Sequence, residues 1–218
     1  MKTLLLLSAA LLLILPDSWA ARVSGTVTSI HDGDTLTIQE PGQPRRSRVR
    51  LFGVDTPEVD FMGVTQGESA ILARDYLRSL LPMGAEVELE LSTQGQDRNG
   101  RYLAIVHCRG VDINAEMLKS GWASFYVIFP YDKDHIRAYS ELSREAFEAR
   151  RGIFSAPYAR DPLPYVFRQD HRAFEGSYLI GDLRTRRLYN GNKMEEVPPY
   201  ARVFFSNIAI ARRQGFRF

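Results

Sequence analysis

Alternation of apolar and polar positions dominates residues 22–54. From Arg22 to Ile30, Val23, Gly25, Val27 and Ser29 alternate with Ser24, Thr26 and Thr28, a β-branched pattern that predicts a strand. His31-Asp32-Gly33-Asp34 contains the Asp-Gly pair favoured in hairpin turns, and Thr35 to Ile38 is the returning strand. Pro41-Gly42-Gln43-Pro44 is the next turn, and Arg46 to Val54 predicts a third strand. Pro57 lacks an N–H and biases Thr56 toward an extended conformation, so this strand must end there. The first third is therefore a three-stranded meander.

The period then changes. Ala70, Ile71, Ala73, Tyr76, Leu77, Leu80 and Leu81 fall at helical spacing and predict a helix from Thr65 to Leu81. Thr65 and Glu68 form a candidate capping box at its start, and Pro82 and Gly84 stop it. Glu86 to Leu91 alternates as a half-exposed strand, Gln94 to Gly100 is a polar turn, and Arg101 to Cys108 is another strand. A short helix runs from Ile113 to Ser120, with Asn114 just after its start. Gly121-Trp122-Ala123 leads into the aromatic run Phe125 to Phe129. Asp132 to Arg150 is a long helix with an inner stripe of Ile136, Tyr139, Leu142, Ala146 and Phe147, ended by Gly152. Five short strands with a helix between the third and fourth is the order of an OB-fold barrel: a mainly β, α+β domain with two to three helices. Asp161-Pro162-Leu163-Pro164 reads as a linker. Beyond it, Ser177 to Ile180 and Arg202 to Phe205 predict short strands of a small C-terminal β appendage.

Composition refines this outline. Lys2, the apolar run Leu4 to Leu15 and the small residues Ser18 and Ala20 have the form of a secretory signal peptide, cleaved after Ala20. The expected product is exported, to the periplasm or the medium. The expected organisation is a signal peptide over 1–20, a barrel domain over 21–159 and a basic extension over 160–218. Cys108 is the single cysteine, so no intramolecular disulfide forms despite export, and its setting predicts a buried, inert thiol. Residues 21–159 carry 16 Lys/Arg against 19 Asp/Glu, a net −3, whereas residues 160–218 carry 11 against 6, a net +5. A slightly acidic core suits a cation site. A basic tail suits a polyanion, or is no more than a solvated face.

The candidate chemistry centres on Arg50-Leu51-Phe52-Gly53-Val54-Asp55-Thr56-Pro57-Glu58, which puts a guanidinium on a strand and two carboxylates at its exit. A hard cation takes carboxylate oxygens. An arginine fork makes two parallel bonds to phosphate. A carboxylate serves as base for an attacking water. The mix suits phosphodiester chemistry, although Asp and Glu are also common at strand exits for turn chemistry alone. Tyr126 and Phe129 are candidate stacking platforms for bases, against the commoner role of core aromatics.

Taken with Asp32-Gly33-Asp34-Thr35, Asp97-Arg98-Asn99-Gly100-Arg101, Ile113 to Leu118 with Gly121-Trp122-Ala123, and the closing Gly152-Ile153-Phe154, the nine-residue stretch resembles the staphylococcal nuclease family over roughly residues 22–155. The resemblance implies a Ca²⁺-dependent phosphodiesterase on an OB barrel. It would act on DNA and RNA as a monomer, cutting the bond to the 5′ oxygen to leave 3′-phosphate ends. By motif position, Asp34 and Asp55 would be the metal carboxylates, Thr56 would offer its backbone carbonyl, and Asp32 would act through a water. Glu58 would be the general base and Arg50 and Arg101 would grip the scissile phosphate, with Tyr126 and Arg98 as substrate contacts. The chain departs from the family in its short, lysine-free Val59 to Val64 loop and in being a residue shorter before Pro130. The expectation is that the basic tail, through Arg184, Arg186 and Arg187, makes the phosphate contacts that this loop omits. The other classes compatible with such a barrel are a non-catalytic nucleic-acid-binding module and an oligosaccharide-binding module.

Overall fold

The computed structural model describes residues 22–172 and 178–218, so the expected signal peptide and Ser177 lie outside the described residues. The meander is formed by β1 (Arg22–Ile30), β2 (Thr35–Gln39) and β3 (Ser47–Leu51), followed by a short β4 (Val54–Asp55). Helix α1 (Glu68–Leu80) precedes β5 (Glu86–Gln96), β6 (Tyr102–Cys108) and β7 (Val111–Asp112). Next come α2 (Ile113–Ser120), β8 (Ser124–Phe125), β9 (Val127–Ile128) and α3 (Lys133–Glu148). The C-terminal part contains α4 (Pro164–Asp170), β10 (Leu179–Asp182), β11 (Leu188–Asn190), β12 (Arg202–Phe205) and α5 (Ile208–Arg213). The main sheet has the order β3-β2-β1-β5-β6-β7, and a parallel β3–β6 pairing closes it into the five-stranded barrel expected from the sequence.

The closing seam places Arg50 between Thr35 of β2 and Leu103 of β6. The barrel interior is filled by Val27, Leu36, Ile38, Val49, Leu51, Leu89 and Val106, all essentially inaccessible, with Leu77 of α1 and Met117 of α2 packed onto it. Cys108 is buried and free. Asn114 ties the parts together. Its amide donates to the carbonyls of Phe52 (2.9 Å) and Ala104 (3.0 Å), and its oxygen accepts from Val106 N–H (3.0 Å).

Several boundaries differ from expectation. The third strand breaks at Phe52-Gly53, because Gly53 adopts φ 75° and a Cβ there would lie 2.8 Å from the Tyr139 ring. The chain turns, and β4 pairs with β8 instead, Asp55 opposite Ser124. The capping box does not form: α1 begins after Gly67, and the Thr65 hydroxyl accepts from Gly67 N–H (3.1 Å) in a local turn. β5 extends past Leu91 to Gln96, into the expected polar turn, and the aromatic run is divided between β8 and β9.

The expected linker leads directly into a helix: Leu163 is the N-cap of α4 and Pro164 its first residue, where a missing N–H costs nothing. The appendage contributes three strands, β11, β10 and β12, to a four-stranded sheet whose fourth member is β9, and the parallel β12–β9 pairing joins it to the barrel part of the chain. Leu188, Val203, Phe205, Ala211 and Phe216 enter the same apolar cluster as the barrel core. No helix among the described residues is long and apolar enough to cross a membrane.

Candidate active site

The turn between β1 and β2 brings Asp34 to the closing seam, where Leu51 N–H donates to its carbonyl (2.8 Å). The Asp34 carboxylate accepts from Thr35 Oγ1 (3.0 Å) and from Thr56 N–H (2.9 Å), and it pairs with Arg50 Nη1. Asp32 holds the turn by accepting from Asp34 N–H (3.0 Å), and burial pushes its carboxyl above the usual range despite the nearby Arg50 charge. Asp55 is 0% exposed. Its Oδ1 accepts from Arg50 Nη2 at 2.7 Å, and its carbonyl accepts from Ser124 Oγ at 3.2 Å. Arg50 Nη2 also donates to Val54 O (3.0 Å), so the guanidinium spans the β3–β4 turn.

Arg101 stands on the rim. Asp97 anchors it through Nε (2.7 Å) and also caps its backbone N–H (3.0 Å), and Nη1 reaches Thr35 Oγ1 at 3.4 Å. Burial alone would raise the Asp97 pKa, but the bonds from Arg101 outweigh it and hold the carboxyl below its usual range.

These groups open on a cavity of about 440 Å³ lined by Asp32, Asp34, Arg50, Glu58, Arg98, Arg101 and Tyr126. The expected site residues Asp55 and Thr56 lie beneath its surface, each almost fully buried. Four segments distant in sequence thus converge on one hollow. Tyr126 is a wall of that hollow, stacked on Tyr165 with ring centroids 5.3 Å apart, whereas Phe129 packs into the core against Phe205. Burial, followed by the Asp55 charge, pushes the Tyr126 hydroxyl up to about 12.

Sequence reasoning missed the residues that α4 contributes. Arg168 Nη1 lies 2.6 Å from Glu58 Oε1 and 2.8 Å from Asp55 Oδ1, and its Nη2 donates to Asp55 Oδ2 at 3.0 Å. Burial would lower the Arg168 pKa, but Asp55 and Glu58 hold the guanidinium firmly charged. Burial, with a smaller contribution from Asp55, lifts the Glu58 carboxyl above its usual range, and Arg168 opposes that lift. Tyr165 and Arg172 also line the cavity. The one signal for them in the chain was the positive excess of residues 160–218, whose three clustered arginines do not line this cavity. Arg184 is bound to Asp182 (2.8 Å), Arg186 lies over the Phe216 ring (4.1 Å) and Arg187 lies by Tyr189 (6.0 Å).

The donors available to a cation are all oxygens: the Asp34 and Asp55 carboxylates and Thr56, whose buried Oγ1 has no hydrogen-bond partner. Among the described residues no group of three or more His, Cys, Asp or Glu is gathered as a metal cluster. Asp34 and Asp55 pair with Arg50, and Asp55 and Glu58 pair with Arg168, so a cation would share these carboxylates with the two guanidiniums. An oxygen-only set with an unpartnered hydroxyl fits a hard cation that keeps several waters.

Comparison with known proteins relates the chain to nucleases. Across 209 residues the chain is 23% identical to the endonuclease YhcR of Bacillus subtilis, covering 93% of this chain and 17% of that protein, so it spans a small part of that relative's length. It is 34% identical to the thermonuclease of Staphylococcus intermedius, over 50% of this chain and 64% of that one. It is 30% identical to the micrococcal nuclease of Shigella flexneri, over 71% of this chain and 86% of that one. Residues 48–156, half of the chain, match the family described as staphylococcal nuclease homologue. The chain belongs to the staphylococcal nuclease family.

Proposed function

We propose that the chain is an exported, calcium-dependent nuclease that hydrolyses phosphodiester bonds of DNA and RNA and leaves 3′-phosphate ends. The observation that carries this reading is the convergence of Asp34, Arg50, Glu58 and Arg101 on one cavity in a member of a nuclease family. Export rests on the leader-like residues 1–20.

Asp34, Asp55 and Thr56 would hold the cation. When bound, it supplies positive charge to a phosphate oxygen and orients a water. Arg50 and Arg101 approach the cavity from the two strands of the β3–β6 seam, and each guanidinium has N–H groups beyond those its carboxylate partners take, which would meet phosphate oxygens. Their attraction grows as charge builds on those oxygens, so they favour the transition state over the substrate. Glu58 takes the proton of the attacking water, and its raised pKa makes it a better base than an ordinary glutamate. Tyr126 and Arg98 contact the substrate at the rim.

The test is cleavage of end-labelled DNA and RNA oligonucleotides with Ca²⁺, with Mg²⁺ and with excess chelator, followed by analysis of the product ends. Cleavage is expected with Ca²⁺, little with Mg²⁺, which demands tighter octahedral geometry, and none with chelator. Full cleavage in excess chelator sinks the cation assignment. Tight binding without cleavage under any condition favours a non-catalytic binding module instead.

A further inference from the structure

The loop after Glu58 is short, and besides its own internal bonds it is braced by residues 162–172. Glu58 N–H donates to Gln66 Oε1 (3.0 Å), and Gln66 Nε2 donates onward to the Pro162 carbonyl (3.0 Å). Phe61 meets Phe167 edge-on at 6.5 Å, and the Arg172 guanidinium lies 4.9 Å over the Phe61 ring. At the centre, Arg168 bonds Glu58 with one nitrogen and both Asp55 oxygens with its fork.

A guanidinium withdrawn from water is costly unless its partners are fixed and matched, and here two carboxylates match it. The rigid planar fork, bonded to both, sets the separation and relative orientation of Glu58 and Asp55. A lysine could supply the charge but not that spacing.

We propose that Arg168, carried by α4, is a positioning residue for the nuclease reaction: it fixes the Glu58 carboxylate relative to Asp55, so that the C-terminal extension completes the active site of the barrel. The proposal rests on the nuclease reading above and adds a residue to it. Arg168 acts through Glu58 rather than on the substrate.

The test combines kinetics with amide exchange on the full chain. R168A and R168K should each lower kcat about 10²-fold on a short oligonucleotide, the cost of a misplaced reacting group, with KM changed by less than about threefold. In an E58Q background, followed with end-labelled substrate over long incubations, removing Arg168 should change kcat by less than about threefold, because two residues acting as one unit are not additive. Exchange should quicken at the loop amides of Phe61, Val64 and Gln66, whose partners lie within the loop at 2.8, 3.0 and 2.9 Å. A wild-type kcat in both R168A and R168K overturns the proposal, and so does an equal fold-loss in the E58Q background. If the wild-type protein cleaves no nucleic acid, the nuclease reading alone fails. Exchange then decides the role of Arg168: faster loop exchange in R168K upholds the clamp, and unchanged exchange overturns it.

Discussion

Replacing Asn114 by alanine should be among the most damaging single changes in this fold that touch no charged group. The side chain is 0% exposed and makes three hydrogen bonds of 2.9–3.0 Å. Of its partners, the Ala104 carbonyl keeps a second bond from Phe52 N–H at 2.8 Å, so it is the least affected. Val106 N–H and the Phe52 carbonyl lose the side chain that meets them inside the protein. Each such group left unpaired costs about 1–3 kcal/mol, so the expected loss for the two is about 2–6 kcal/mol, a large part of a typical domain's 5–15 kcal/mol. Asn114→Asp should be no better at neutral pH, because it replaces the amide donor with a carboxylate facing two carbonyls. Urea unfolding followed by circular dichroism measures the loss as a fall in midpoint at constant slope. A loss below about 1 kcal/mol for Asn114→Ala would refute the reasoning, because it would mean that water or a backbone shift satisfies both orphaned groups.

Two further predictions use backbone geometry and charge. Gly152 has φ 53°, and a Cβ there would lie 2.3 Å from the Gly121 backbone; Gly152→Ala should cost about 3 kcal/mol or more and lower Tm by roughly 6–12 °C in calorimetry. Gly42→Ala, at φ 72° with nothing within 4 Å, is the control that carries only the backbone strain. Asp132 caps α3 by accepting from the N–H groups of Asp134 and His135 (3.0 Å each), with the His135 ring also in contact; the His135 N–H bond leads in holding its carboxyl below the ordinary 3.8. Its ionised form therefore stabilises the fold above that pH and stops doing so as pH falls through the lowered folded value. The stability gap between wild type and Asp132→Asn, read from urea midpoints between neutral and acidic pH, should close on acidification. A gap that widens instead would contradict the sign.

The strands and helices that bury one face were legible because their period survives in the sequence. β1 and α2 fall where alternation and helical spacing put them, and the barrel order followed. Misses came where a single residue decides the conformation by a contact far away in sequence. Gly53 breaks the third strand because Tyr139, from α3, occupies the space a side chain would need. Pro-Leu-Pro reads as a linker whether or not a helix follows, since proline suits both a turn and a first helical turn. Within the site, the barrel residues were found because they sit together in short motifs. Arg168 was not, because nothing local distinguishes an arginine that reaches Glu58, 110 residues away, from one on a solvated face.

The position of Arg168 also bears on what the extension is for. An appendage that only decorated the barrel would bury its own core and leave the site open. Here Phe205 and Phe216 pack into the barrel cluster, β12 pairs with β9, and Tyr126, between β8 and β9, stacks on Tyr165 of α4. The strand β9 begins one residue after Tyr126, so the pairing that docks the sheet also fixes the wall of the cavity. From that dock, α4 is carried across the short loop, and its arginine enters the acid cluster that the barrel's own Arg50 only partly offsets. Apolar docking of this kind is insensitive to ionic strength, whereas an exposed arginine loop is screened by salt. The extension's contribution to the site should accordingly persist in salt that weakens any contact its surface arginines make with a polyanion.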